Sequence, residues 1–399
     1  MQAISKMSVM ASLFPSPNTA VSLLKMGRGS DMATGFFWDE RCFWHGGGNY
    51  AFTMPAGGLI QPIQGGMPES PESKRRFKNL MDVTGLSQEL SLQSAPRASK
   101  EDLLRVHPKA YLDAFKALSD TGGGELGRNT PFGQGGFEHA ALSTGLVKGA
   151  LFSVLKGTLN NAYALSRPPG HHCLPDYANG FCLLANIAVA VEAALAEHLT
   201  ERVAVLDWDV HHGNGTEAIF YDRADVLTVS LHQERNYPMD TGDFAQRGEG
   251  AGAGANLNIP LPPGTGHAGY IEAMERLALP VIRGFKPDVI VVACGFDAAA
   301  IDPLSRMLAT AETFSTMTRQ VRALAGDICD GRLTMAHEGG YSEVYVPFCG
   351  HAVLQQMSGS AIHADDPLGP TFAARQPGPA LSRFISDQIG EMVEAINLS

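Results

Sequence analysis

Hydrophobic positions along the chain fall into two alternating kinds of segment. Short, nearly continuous apolar runs occupy 162–166, 203–209, 226–231, 288–294 and 333–336. Between them lie longer segments with apolar residues every three to four positions, at 140–155, 181–199, 268–283, 311–326 and 380–397. The last carries Leu381, Ile385, Ile389, Met392 and Ile396 on one helical stripe. Runs too continuous to leave a polar face predict parallel strands buried on both sides, with the helical segments covering them. The expected fold class is therefore α/β with a mostly parallel central sheet. Gly- and Pro-rich stretches at 45–75, 121–137, 232–268 and 357–379 are read as loops. Two of these exceed the usual connection length, which suits functional walls or lids.

Composition narrows the function classes. The best apolar stretch, 181–196, is broken by Asn186 and Glu192, so no transmembrane helix is expected. With 30 basic against 41 acidic residues, net −11, the chain lacks a nucleic-acid footprint. Its acidity is assigned to solubility. Cys42, Cys173, Cys182, Cys294, Cys329 and Cys349 are scattered and form no C-x-x-C pair, which suits a reducing, cytoplasmic setting. Residues 1–31 are basic, Ser-rich and nearly free of acid, and are read as a poorly ordered extension, with a signal peptide as the alternative.

In parallel sheets, ligands bind beyond the carboxyl ends of the strands, so chemistry is expected immediately after the apolar runs. Arg167-Pro-Pro-Gly-His171-His172 follows the first run, and Asp207-Trp208-Asp209-Val210-His211-His212-Gly213-Asn214 ends the second. Gly295-Phe296-Asp297-Ala298 follows the fourth, and His337-Glu338-Gly339-Gly340-Tyr341 the fifth. A single Asp or His after a strand is ordinary turn chemistry. Five such groups at four strand ends imply one site. Side chains alternate on a strand, so Asp207, Asp209 and His211, at i, i+2 and i+4, are expected to share one face as potential metal ligands, while Trp208 and Val210 face packing. Asp209 and His211, with Asp297 as the natural third ligand, would balance a divalent ion and leave a position open for water. His171 and His172 offer proton transfer. A carboxylate partner would favour imidazolium on either ring, and an amide partner would not. Tyr341 offers a hydroxyl to a substrate carbonyl.

These segments, in this order over about residues 32–365, resemble the histone deacetylase superfamily, and more closely its bacterial amidohydrolases with class II-like features. Phe36-Phe37-Trp38-Asp39-Glu40, Pro68-Glu69 with Lys74-Arg75-Arg76, and Val106-His107-Pro108 fit the same pattern. The resemblance implies an arginase/deacetylase-like three-layer α/β/α fold and one Zn2+ per chain on Asp209, His211 and Asp297. It implies His172 as general base and acid, His171 as electrostatic support, Asp207 as its carboxylate partner and Tyr341 as the carbonyl-polarising group. Asn214 stands where class I relatives carry a second Asp. Gly180, Phe181, Tyr237, Gly339 and Gly340 would line a substrate tunnel. A structural K+ is implied at Asp207, Asp209, His211, Ser230 and Leu231, and an outer one at Phe220, Arg223 and Val226. The stretch Gly46-Gly47-Gly48 and the Met67-Pro68-Glu69 triplet depart from the family pattern, and both are placed in rim loops.

Motifs spread from His171 to Tyr341, all needed for one site, imply a single catalytic domain over 32–399. The expected function is zinc-dependent hydrolysis of a small-molecule amide, with acetyl-lysine also accepted and a homodimer or homotetramer as the assembly. An acetylpolyamine deacetylase would need a carboxylate at the tunnel mouth, for which Glu69, Glu72, Glu234 and Asp240 are candidates. A protein lysine deacetylase and a non-enzymatic acyl-group binder are further alternatives. A two-manganese ureohydrolase shares the fold but has no use for His171, His172 or Tyr341.

Overall fold

A computed structural model describes residues 33–397 except 62 and 64. The expected extension at 1–31 lies outside the described residues. Eight strands, all paired in parallel, form the central sheet: β1 (Thr34–Phe37), β2 (Ser91–Gln93), β3 (Asn161–Ala164), β4 (Val203–Asp207), β5 (Val226–Gln233), β6 (Asn256–Leu261), β7 (Val289–Cys294) and β8 (Leu333–His337). Their spatial order is β6-β5-β4-β7-β8-β3-β1-β2. Every residue of β3, β4, β5, β7 and β8 is buried, so both faces are covered, and the architecture is three-layer α/β/α.

The five strands expected from the apolar runs are present. Three more were not expected, for identifiable reasons. The β1 strand opens on Thr34-Gly35 and so has only two apolar residues, the edge strand β2 is half-exposed, and β6 alternates Asn with apolar residues inside a stretch read as loop. The five expected helices are found at Gly136–Leu155, Asn186–Ala196, 267–285, Ala311–Ile328 and Pro379–Asn397, the third containing a π turn at Met274–Ala278. The second is shorter than expected, because 178–185 turn back to form a wall. Helices Glu72–Thr84, Lys109–Asp120 and Val346–Ser358 were not anticipated.

Register brings the functional ends level. Asp207 pairs with Ser230 on one side and Ala293 on the other, Cys294 with His337, and Ala336 with Ala164. An aromatic chain beneath this rim anchors it. Phe77 meets Tyr163 edge-on at 5.8 Å and Phe296 at 6.3 Å, and Phe296 meets Phe314 at 5.1 Å. Phe296 is wholly buried one residue before Asp297, which pins that carboxylate to the core.

Candidate active site

The β4 strand stops at Asp207, which corrects the expectation of a strand running through 209. Beyond it the chain turns through two side-chain-to-backbone bonds: Asp209 N–H donates to Asp207 Oδ1 at 3.0 Å, and His211 N–H to Asp209 Oδ1 at 2.9 Å. These short Asp bonds compete successfully with ladder pairing. Trp208 and Val210 fill the core, as alternation suggested, but Asp207 is directed to a different partner from Asp209 and His211.

Asp209, His211 and Asp297 converge with ligand atoms within 4.8 Å of one another, all buried. His211 Nδ1 lies 3.1 Å from Asp209 Oδ1 and 3.0 Å from Asp297 Oδ2. Two carboxylates and an imidazole in a buried pocket are the donor set of a divalent transition-metal site. The backbone around them is shaped for it. Gly339 N–H donates to Asp209 Oδ2 at 2.7 Å, and Val210 N–H to Asp297 Oδ1 at 2.8 Å. A Cβ on Gly339 would lie 2.1 Å from Asp297 Oδ2, and one on Gly295 2.1 Å from Asp209 Oδ2, so only glycine permits this approach. The residues present fit a metal ion.

The tandem histidines, with ring centres 4.0 Å apart, have contrasting partners. His171 Nδ1 faces Asp207 Oδ2 at 2.9 Å, whereas His172 Nδ1 faces Asn214 Oδ1 at 2.8 Å. Burial pulls the His171 pKa down, but the charges of Asp209 and Asp207 outweigh it and lift the value to about 10. Burial, followed by the positive charge of His171, holds His172 well below the ordinary imidazole range. The Asp207 carboxylate thus favours the charged form of His171, whereas an Nδ1–H donated to the Asn214 amide oxygen leaves His172 Nε2 free to accept a proton.

Several supporting groups escaped the sequence reading. Glu338 Oε2 accepts the backbone N–H of Gly170 (2.7 Å) and of His171 (3.1 Å), setting the tandem histidines from the end of β8. Asp302 Oδ2 accepts Tyr341 N–H at 2.8 Å. Glu69 is not on a rim. It is buried, bonded to Arg167 Nε and Nη2 at 2.9 Å and to Lys74 Nζ at 3.2 Å, and Arg167 opens the loop that leads to His171. Gly47 is exposed, in keeping with a rim loop, and passes so close to the Phe132 backbone that a Cβ there would lie 2.5 Å from it. An acid conserving a buried ion pair leaves no periodic signal, which is why Glu69 was misplaced.

A cavity of about 200 Å³ opens above these groups, lined by His172, His211 and Tyr341 together with Gly180, Phe181 and Tyr237. Phe181 meets the Tyr341 ring edge-on at 5.6 Å, and Tyr237 meets the His172 ring at 5.0 Å. Gly339 and Gly340 stand behind this wall: Gly339 serves Asp209, and the Gly340 carbonyl accepts Ser73 Oγ at 3.0 Å. None of the four acids weighed for the tunnel mouth lines the cavity. Glu72 pairs with Arg75, and Glu234 and Asp240 border a separate surface hollow. At the positions implied for K+, Ser230 Oγ is 2.9 Å from His232 Nδ1, the Phe220 carbonyl accepts Arg223 N–H at 3.0 Å, and Val226 opens β5. Leu231 sits within β5, and the Arg223 guanidinium is tied to Asp225 and Glu192.

Comparison with known proteins agrees with this geometry. Residues 67–357 match the histone deacetylase domain family. The chain is 55% identical to a histone deacetylase-like amidohydrolase of Pseudomonas aeruginosa, over 92% of this chain and 96% of that protein. It is 38% identical to a probable deacetylase of Archaeoglobus fulgidus, over 79% and 90% of the two chains. The crystal structure of the HDA15 HD domain superposes with a TM-score of 0.76 at 30% identity, covering 91% of this chain and 96% of that one. The chain belongs to the histone deacetylase family.

Proposed function

We propose that residues 32–399 act as one catalytic domain that hydrolyses a small-molecule amide with Zn2+ held by Asp209, His211 and Asp297. The contrast between the His171–Asp207 and His172–Asn214 pairs, set beside a buried three-donor cluster, carries this reading. A metal ion in that cluster supplies Lewis acidity and a water acidic enough to react at neutral pH. His172 Nε2 takes the proton of the attacking water and returns it to the departing amine nitrogen. His171, kept cationic by Asp207, stabilises negative charge developing beside it. Tyr341 remains an O–H donor because burial, then the charges of Asp297 and Asp209, hold its pKa well above 10. That hydroxyl supports the carbonyl oxygen as it becomes an oxyanion.

Acetyl-lysine accepted as a substrate, structural K+ at the positions given above, a cytoplasmic location and a homodimer or homotetramer belong to the same proposal. The six cysteines, all buried thiols, suit a reducing compartment. No helix among the described residues is long and apolar enough to cross a membrane. The test is hydrolysis of an acetyl-lysine anilide and a simple acetanilide by metal-loaded protein and by Asp297→Ala. The variant should lose bound metal and activity together. Full activity in metal-free protein would overturn the reading.

A further inference from the structure

One charged side chain at the cavity has no part in the reaction above. Gly127 and Arg128 form a short parallel ladder with Ala178 and Asn179. Beyond it, Gly180 N–H donates to the Arg128 carbonyl and Phe181 N–H to the Asn129 carbonyl, each at 3.0 Å. The backbone of Arg128 and Asn129 is thus tied to the two residues that wall the cavity. Gly127 makes the approach possible, because a Cβ there would lie 1.7 Å from the Ala178 carbonyl oxygen. The Arg128 guanidinium carbon sits 5.5 Å from the centre of the Tyr237 ring, a cation–π placement. On its other contacts that ring meets His172 at 5.0 Å and His211 at 6.1 Å. A single aromatic ring separates the guanidinium from the proton-transfer group.

The charges around it are one-sided. No residue lining the cavity is acidic, and Arg128 is the one Lys or Arg among them. Among the described residues no carboxylate pairs with it, although acids outnumber bases in the chain by 41 to 30. An unpaired guanidinium, exposed and backed by an aromatic ring, matches a carboxylate by charge and by its paired donors.

We infer that Arg128 selects substrates whose amine portion ends in a carboxylate, several methylenes from the scissile amide: ω-acylamino carboxylates. This rests on the amide-hydrolase reading. An acetylated diamine would bring an ammonium to the same place and be repelled. A chain-internal acetyl-lysine lacks the carboxylate and gains nothing from Arg128.

Three probes of matched length separate these cases: 6-acetamidohexanoate, its carboxamide, and N-acetylcadaverine. The metal-loaded protein should prefer the acid over the carboxamide by about fivefold in kcat/KM, the upper range for one exposed ion pair. Added salt should shrink that preference. In Arg128→Gln the ratio should fall to about one, and in Arg128→Glu the preference should invert towards N-acetylcadaverine. Each ratio is measured within one protein, so it does not depend on how much of a variant is folded. Equal turnover of acid and carboxamide, or a ratio that survives Arg128→Gln, overturns the inference and leaves the hydrolase reading standing. No turnover of any probe or of acetanilide overturns both.

Discussion

Glu69→Gln removes one charge from a place where three ionic side chains are buried together. Glu69 meets Arg167 through two bonds of 2.9 Å and Lys74 through one of 3.2 Å, with side-chain exposures of 4% for Glu69 and 1% for each cation. Burial alone would raise the Glu69 pKa. The charges of Arg167 and Lys74 overcome it and bring the value from 4.5 to about 2. At about 1.4 kcal/mol per pKa unit, that difference corresponds to about 3 kcal/mol. Breaking a buried ion pair by removing one partner costs about 3–5 kcal/mol, so the two routes agree. The sign follows from a folded pKa below the unfolded one: the stabilisation is complete above pH 4.5 or so and is lost as pH falls through about 2. Urea unfolding at pH 7 should therefore find Glu69→Gln less stable by about 3 kcal/mol, a large share of the about 5–15 kcal/mol of a typical domain. The gap should narrow on acidification below pH 4.5. A loss under about 1 kcal/mol at pH 7, or a gap that widens towards acid, refutes the reasoning. Arg167 Nη1 also holds the Cys42 and His45 carbonyls at 3.1 and 2.7 Å, so loosening the pair unfastens the start of the tandem-histidine loop.

Two further substitutions probe the site itself. Tyr341→Phe should lower kcat/KM by about 10²–10³ while bound metal stays at the wild-type level, and a loss below about tenfold would count against the hydroxyl's role. Gly339→Ala forces a Cβ to within 2.1 Å of Asp297 Oδ2 and 2.6 Å of Asp209 Oδ2. Elemental analysis should find its metal lost with far-UV circular dichroism unchanged, and a stoichiometric metal content would sink that account.

Hydrophobic patterning alone located the five strands at the centre of the sheet, since β3, β4, β5, β7 and β8 are buried on both faces and their residues must be apolar. It missed β2, whose burial is partial, and β1, whose Thr34-Gly35 opening leaves only two apolar residues. Helix Glu72–Thr84 was hidden because its first turn falls within a Gly- and Pro-rich stretch and it carries Lys74 inward, where an apolar stripe would hold an apolar residue.

At the site, residue types after each strand end were sufficient to nominate the candidate metal cluster, the two histidines and Tyr341, because ligands of a parallel sheet bind beyond the carboxyl ends of its strands. The condition that distinguishes the histidines was also legible, and the family resemblance paired His171 with Asp207, but no local pattern by itself shows which ring meets a carboxylate. That depends on Asp207 and Asn214 arriving from opposite ends of one turn, 36 and 42 residues away from their partners. Tertiary structure likewise moved Glu69 from a presumed rim into a buried ion pair and brought Arg128 to the cavity mouth through a two-residue ladder. Charge, in short, is written in the sequence, whereas what a charge faces is set by contacts between segments that no local pattern encodes.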